Sequence, residues 1–202
     1  QLQNQALAGV PSVELAMDLD GDGHVDLATG PNLRFGLPGG GYSVVPIAPG
    51  VLRALAAGDI DADGRPDLVV ETAQGLAVLR QFAPGSFVAL PGAPLPYPLP
   101  TRVVVADMNG DCLGDLVIGS RDPTSLAWQT IAVHLQGAPL AFSSQPDFQL
   151  RGDTPEIEFT QFTVGDIHGN GRLDVAAATR FVANSGQNSK ILVFHDPGLP
   201  FA

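Results

Sequence analysis

A nine-residue acidic pattern occurs four times in this chain, and each copy runs straight into an apolar stretch. The copies are Asp18-Leu-Asp-Gly-Asp-Gly-His-Val-Asp26, Asp59-Ile-Asp-Ala-Asp-Gly-Arg-Pro-Asp67, Asp107-Met-Asn-Gly-Asp-Cys-Leu-Gly-Asp115 and Asp166-Ile-His-Gly-Asn-Gly-Arg-Leu-Asp174. Leu27-Ala28, Leu68-Val-Val70, Leu116-Val-Ile118 and Val175-Ala-Ala177 follow them. A motif that recurs in one context identifies a repeat architecture, with each copy marking the same point of one structural unit. The spacing grows from 41 to 48 to 59 residues, so the unit is fixed at the loop and variable elsewhere.

Carboxylates at positions one, three and five converge on one cation if the backbone turns tightly. A glycine at position six permits the turn, because φ > 0 costs it little. Position seven then offers its carbonyl, and the ninth-position Asp closes the shell. An all-oxygen cage of this kind suits Ca²⁺, which takes about 6–8 oxygen ligands, better than Mg²⁺, which keeps its waters. Zn²⁺ would call for a His/Cys cluster. The candidate ligands are Asp18, Asp20, Asp22, His24 and Asp26 in the first loop, and Asp59, Asp61, Asp63, Arg65 and Asp67 in the second. In the third they are Asp107, Asn109, Asp111, Leu113 and Asp115, and in the fourth Asp166, Asn170, Arg172 and Asp174. His24, Arg65, Leu113 and Arg172 would serve through their backbone carbonyls. The expected cofactor is two to four structural Ca²⁺ ions.

The four copies are not equal. Asn109 removes one charge from the third, and Cys112 replaces its turn glycine, at a cost of about 1–2 kcal/mol if that residue is left-handed. His168 takes a ligand position in the fourth and suits a hard cation poorly, so an empty, weak or water-completed site is expected there. An EF-hand is excluded: it needs a bidentate Glu at position twelve, where this chain has Thr29, Val70, Ile118 and Ala177.

Between the loops the chain reads as strands. Ser12–Met17 enters the first loop and His24–Thr29 leaves it, with Asn32–Leu37 and Tyr42–Ala48 following. The second unit has Leu52–Ala57, Asp67–Glu71, Gly75–Phe82 and Ser86–Leu90. The third has Arg102–Ala106, Asp115–Gly119, Leu126–Leu135 and Phe142–Leu150. The fourth has Ile157–Gly165, Leu173–Phe181 and Lys190–His195, with residues 1–9 able to supply its missing outer strand and remove an exposed edge. The 24 glycines, 18 prolines and absence of a long amphipathic helical stretch agree with an all-β chain. Pro91–Pro100 favours polyproline II and reads as a stiff crossover rather than an SH3- or WW-type ligand. Arg151-Gly-Asp153 matches the integrin-binding tripeptide, which a short chance match explains.

Four-stranded units of about 40–60 residues in series read as propeller blades. With the acidic loop between its first two strands, each unit resembles the FG-GAP/VCBS repeat family, which includes the integrin α-subunit head and propeller lectins. The matching signature is Ala16-Met-Asp-Leu-Asp-Gly-Asp-Gly-His-Val-Asp-Leu-Ala28, with parallels from Ala57 and Ala106. The resemblance implies an all-β single domain over 1–202, a β-propeller with units near 10–50, 51–100, 101–155 and 156–202. Family propellers usually have seven blades. Four units would form a closed small ring, a piece of a larger propeller or half of a homodimeric one.

The net charge is −11, but the four loops hold 13 of the 21 acids, and the remaining 8 are outnumbered by 10 bases. The acidity is therefore local, and gives no reason to expect nucleic-acid binding. No run approaches the ~20 apolar residues of a membrane span. Single Cys112 rules out an intrachain disulfide. Calcium sites of moderate affinity point to an extracellular, cell-surface or periplasmic location, and the start at Gln1 without a signal segment reads as a mature or trimmed product. There is no G-x-S-x-G, H-E-x-x-H or P-loop, and His24, His134, His168 and His195 are dispersed, so no enzyme is expected. The functional expectation is a calcium-stabilised module that binds a protein partner or acts as a scaffold. The alternative is a calcium-dependent lectin using Trp128, Tyr42 and Tyr97 on a glycan, with a propeller enzyme third.

Overall fold

The structure is a computed structural model that describes residues 12–90, 94–121, 128–150, 157–181 and 190–195. It is all-β, and among the described residues there is no helix. β1 (Leu15–Met17), β2 (Asp26–Thr29), β3 (Asn32–Gly36) and β4 (Tyr42–Pro46) form the first sheet in sequence order. β5 (Val51–Gly58), β6 (Asp67–Thr72), β7 (Gly75–Ala83) and β8 (Ser86–Ala89) form the second in the same way. β9 (Pro100–Ala106), β10 (Asp115–Arg121) and β11 (Trp128–His134) begin the third. A small hairpin, β12 (Gln136–Ala138) and β13 (Ala141–Phe142), then interrupts it before β14 (Phe148–Leu150) completes the order β9-β10-β11-β14. β15 (Ile157–Gly165), β16 (Asp174–Phe181) and β17 (Lys190–Phe194) make a three-stranded fourth sheet.

Every ladder is antiparallel, and the acidic loops join the first two strands of each sheet. The ninth-position Asp is in each case the first residue of the second strand, so the apolar run after it enters the sheet centre. That position explains why β2, β6 and β10 open with four consecutive buried residues instead of alternating: a central strand covered on both faces reads as a continuous apolar run.

Buried side chains form three clusters, one at each seam between successive sheets. Leu19, Leu33, Val51, Leu68 and Leu79 join the first and second sheets. Ile60, Val69, Leu76, Val103, Leu116 and Ile118 join the second and third. Met108, Val117, Ile131, Phe159, Phe162 and Val175 join the third and fourth. Fully burying one such Leu, Ile or Phe side chain contributes about 1.5–3 kcal/mol. Among the described residues no fourth cluster joins the last sheet to the first, so a closed ring is not seen.

The strand expectations agree with the structure to within a few residues except at the fourth strand of the third unit. There Phe142 belongs to the separate hairpin, and the outer strand is confined to Phe148–Leu150. Leu140 sits at φ +62, which turns the chain at Gly137-Ala-Pro-Leu140, and the Ser143–Pro146 stretch keeps the strand from resuming earlier. The proline-rich crossover is held by more than stiffness. Leu95 pairs with Leu76 through N–H to O bonds of 2.8 and 3.0 Å, and Leu95 and Tyr97 are buried in the seam between the second and third sheets. Those two side chains are therefore not free to fill a partner's groove. Residues 1–9 and Arg151-Gly-Asp153, and the side chain of Trp128, lie outside what the structure describes.

Candidate functional site

The four loops share one internal hydrogen-bond scheme. The first Asp turns its carboxylate back onto the loop's own N–H groups. Asp18 accepts from Gly21 (2.7 Å) and Gly23 (2.8 Å), and Asp59 from Asp63 and Gly64 (both 2.9 Å). Asp107 accepts from Gly110 (2.7 Å), Asp111 (3.1 Å) and Cys112 (2.9 Å), and Asp166 from Gly169 (2.6 Å), Asn170 (3.0 Å) and Gly171 (2.8 Å). To present those N–H groups, the backbone goes left-handed at positions four and six of every loop. The pairs are Gly21/Gly23, Ala62/Gly64, Gly110/Cys112 and Gly169/Gly171, with φ between +59 and +85. The strain anticipated at Cys112 is present, at φ +68. The same requirement at position four, met by Ala62 at φ +59, was not read from the sequence, although Gly at that place in three loops is its signal.

The fifth residue accepts the N–H of the seventh: Asp22 from His24 (2.8 Å), Asp63 from Arg65 (3.0 Å), Asp111 from Leu113 (2.9 Å) and Asn170 from Arg172 (2.9 Å). The ninth-position carboxylates are fully buried and act as clamps. One oxygen accepts the N–H of the second loop residue: Leu19 to Asp26 at 2.7 Å, Ile60 to Asp67 at 3.2 Å, Met108 to Asp115 at 2.8 Å and Ile167 to Asp174 at 3.0 Å. In the first three units the other oxygen accepts an N–H from the third strand or just beyond it, from Gly36, Gln81 and Gln136 at 2.7–2.8 Å. Burial pushes Asp67 and Asp115 up to about 6.

Carboxylate oxygens of Asp18, Asp20 and Asp22 lie within 4.8 Å of one another, and so do those of Asp59, Asp61 and Asp63. Asp26 and Asp67 stand outside these two groups. Burial, with the neighbouring Asp26, Asp22 and Asp18, pushes the Asp20 carboxyl up. In the second loop protein cations reach the cluster. Arg80 lies opposite Asp67 when the β6–β7 ladder is extended by one residue, and brings Nε to 2.7 Å from Asp61 Oδ2 and Nη2 to 3.0 Å from Asp63 Oδ2, and Arg65 also contacts Asp63. Desolvation pushes Asp63 up, but the Arg65 N–H and the Arg80 and Arg65 guanidinium groups outweigh it and hold the carboxyl below its ordinary value. Asp61 Oδ1 is buried and has no hydrogen-bond partner.

The third loop brings two carboxylates and an amide together, with Asn109 Nδ2 donating to Asp111 Oδ2 at 3.1 Å. It faces the fourth across a cleft of about 360 Å³ lined by Asp107, Asn109, Asn170 and Arg172. In the fourth loop Asp166 and Asn170 are spent on backbone N–H groups, while Asp174 meets His168 and a residue from outside the loop, His195.

The two central loops also match a known repeat. Residues 59–118 fit the family model of the FG-GAP-like repeat. This stretch is similar to an FG-GAP-like repeat. It runs from the first Asp of the second loop to Ile118 in β10, and so holds one complete loop-to-loop period of the chain. The first and fourth loops flank the FG-GAP-like stretch and keep its hydrogen-bond scheme. No curated protein matches the chain.

Sequence reasoning also missed what ties successive units together. Gln81 and Gln136 are buried, and their amides reach back one unit. Gln81 Nε2 donates to the Leu19 carbonyl in the first loop at 2.6 Å, and Gln136 Nε2 donates to the Ile60 carbonyl in the second at 2.8 Å. Gly114 N–H adds a second bond to Ile60 O at 2.9 Å. The first and second acidic loops are thus each locked by the unit that follows. The recoverable signal was a Gln just past the residue opposite the ninth-position Asp.

Proposed function

We propose that the chain is a Ca²⁺-stabilised β-propeller-type module, one domain across residues 1–202, that works outside the cell as a scaffold or docking unit for a protein partner and carries no catalytic activity. The observation that supports the metal most directly is the second loop. Three carboxylates converge there, and the buried Asp61 Oδ1 lacks any partner. An orphaned buried carboxylate oxygen is costly unless something satisfies it, and a hard cation with oxygen ligands does so. Asp18, Asp20 and Asp22 would hold a second ion, and Asp107, Asn109 and Asp111 a weaker third. The seventh-position carbonyls and the ninth-position carboxylates would complete each shell after a small shift of their clamps. Where bound, the ion supplies charge neutralisation, and its binding free energy becomes folding free energy.

The four meander sheets with three apolar seams support a blade-like stacking, either as part of a larger propeller or as half of a homodimer. The lectin alternative draws less support, since Tyr97, one of its three aromatic candidates, is buried. No helix among the described residues is long and apolar enough to cross a membrane.

Native mass spectrometry in calcium-containing volatile buffer counts ions and subunits together. Two or three Ca²⁺ per chain, about one for each oxygen-rich loop, is the expected result. A chain that stays metal-free sinks the proposal. Glycan-array binding that depends on Ca²⁺ would move the function to the lectin alternative.

A further inference from the structure

The fourth loop has lost the carboxylate set of the others, and what replaces it is a different chemistry. His168 stands at the third loop position, where the other units have Asp20, Asp61 and Asn109. His195 follows β17 directly and lies opposite Asp174 when the β16–β17 ladder is extended by one residue. The corresponding residues elsewhere are Phe35, Arg80 and Leu135. The two histidines converge on one buried carboxylate: His168 Nδ1 is 3.2 Å from Asp174 Oδ2, and His195 Nδ1 is 3.5 Å from Asp174 Oδ1. Their ring centroids are 3.6 Å apart, and one ligand atom from each of the three residues falls within 4.8 Å of the others. Asp174 is anchored by the Ile167 N–H at 3.0 Å, while both imidazoles are about half exposed, at 45 and 51%. The ligands therefore rest on a fixed point of the sheet and open to solvent on one side.

We propose that His168, Asp174 and His195 form a binding site for a borderline first-row divalent cation of the Zn²⁺ class, distinct from the oxygen-only calcium loops. Imidazole nitrogen suits Zn²⁺, Cu²⁺, Fe²⁺ and Ni²⁺ and is a poor ligand for Ca²⁺. Two histidines and a carboxylate make a three-ligand protein set that leaves a fourth position for water or an incoming group. Two unprotonated imidazoles and one carboxylate carry a single negative charge, which a divalent cation more than neutralises. None of these three ligands belongs to the oxygen-only loops, so the site stands whether or not those loops bind calcium.

The test titrates the intact chain with Co²⁺, as an absorbing stand-in for Zn²⁺, in excess Ca²⁺ so that oxygen-rich loops are occupied. Zn²⁺ competition against a chromogenic chelator runs in parallel. One equivalent of Co²⁺ with visible d–d bands, displaced by Zn²⁺, is expected for the wild type. Binding should be lost in His168→Gln and in His195→Gln, both at half-exposed positions where the fold tolerates change, and circular dichroism verifies that each variant is folded. A wild type without bands or chelator competition overturns the proposal. So does retention of Co²⁺ binding in either histidine variant, which would assign the metal to other surface groups.

Discussion

At the residue scale, two side chains stand where the loop backbone wants none. Cys112 and Ala62 occupy left-handed positions that the other loops give to glycine. No atom crowds a Cβ built at Gly21, Gly23, Gly64 or Gly110, so the cost at these positions comes from φ alone. A left-handed residue with a Cβ costs about 1–2 kcal/mol, and returning to glycine gives back about 0.4–1 kcal/mol through the freer unfolded chain. Cys112→Gly should therefore raise stability by up to about 1 kcal/mol, and Gly23→Ala should lower it by a similar amount, both read by thermal unfolding. A lower melting temperature for Cys112→Gly would mean that the thiol makes a contribution this account lacks. The buried pair Tyr97–His134 makes a second residue-scale prediction. Tyr97 Oη lies 2.7 Å from His134 Nε2, and His134 Nδ1 lies 3.1 Å from the Ser143 carbonyl. Both contacts are satisfied when Tyr97 donates and the neutral ring donates from Nδ1. Burial pushes His134 below its ordinary 6.5 and Tyr97 up to about 12. Below pH 6.5 the unfolded chain takes up a proton that the folded ring resists, so stability present above that pH is lost on acidification. Above pH 10 the unfolded phenol ionises first, so stability falls again toward pH 12. Asp67 and Asp115 act oppositely between their ordinary 3.8 and about 6, where stability falls as pH rises. The histidine effect is therefore the difference between wild type and His134→Gln in urea midpoints from pH 7 to 5. Parallel curves would remove the pair from the account, as would an alkaline limb unchanged in Tyr97→Phe.

At the element scale, the first and second loops are held from behind by the unit that follows. Gln81→Ala should cost about 1–3 kcal/mol, the penalty for a buried carbonyl left unpaired, here that of Leu19. Gln136→Ala should cost at least as much: Gly114 N–H still reaches Ile60 O, but the Gly114 carbonyl and the Leu140 N–H lose their Gln136 partners. A loss at Gln136 clearly smaller than that at Gln81 in chemical denaturation would show that the latches do not work through these backbone groups. Gly75 tests how the proline-rich crossover is held to β7. A Cβ there would lie 2.1 Å from the Leu95 carbonyl at φ +129. Gly75→Ala should then cost about 1–3 kcal/mol in backbone strain as well as the Leu76–Leu95 bridge, read as lost amide protection at Leu95. The existence and order of the strands were legible because each acidic loop fixes where a ladder starts, and the apolar runs after Asp26, Asp67, Asp115 and Asp174 can only be central strands. The β12–β13 hairpin was not legible, since Gly137-Ala-Pro-Leu140 carries turn residues that suit a loop as well as a hairpin. The latching glutamines were not legible either, because a polar residue at a strand end reads as exposed until the neighbouring sheet is in place. The same limit hid Arg80 and His195: both are separated from their loops by a full hairpin, and only the ladder register brings them to the carboxylates.

At the scale of the whole molecule, burial of the second loop residue reports which units have a neighbour. Leu19 and Ile60 are fully buried and Met108 nearly so, each beneath the unit that follows, whereas Ile167 in the last loop is 50% exposed and Ile191 on β17 is 73% exposed. That asymmetry belongs to a stack with three seams, in which the outer side of the fourth sheet has no partner among the described residues. Truncation separates a covered seam from an open one. Ile60→Ala removes core contacts and should cost about 2–5 kcal/mol. Ile167→Ala acts on a half-exposed side chain and should cost under about 1 kcal/mol. The comparison is made by denaturant unfolding at low and high protein concentration. A small Ile167 effect that is independent of concentration fits an open stack. A loss at Ile167 as large as that at Ile60, already present in the dilute monomer, would mean that the first sheet closes over the fourth loop. A loss that grows with protein concentration would mean that a second copy covers it, because only an intermolecular contact follows mass action.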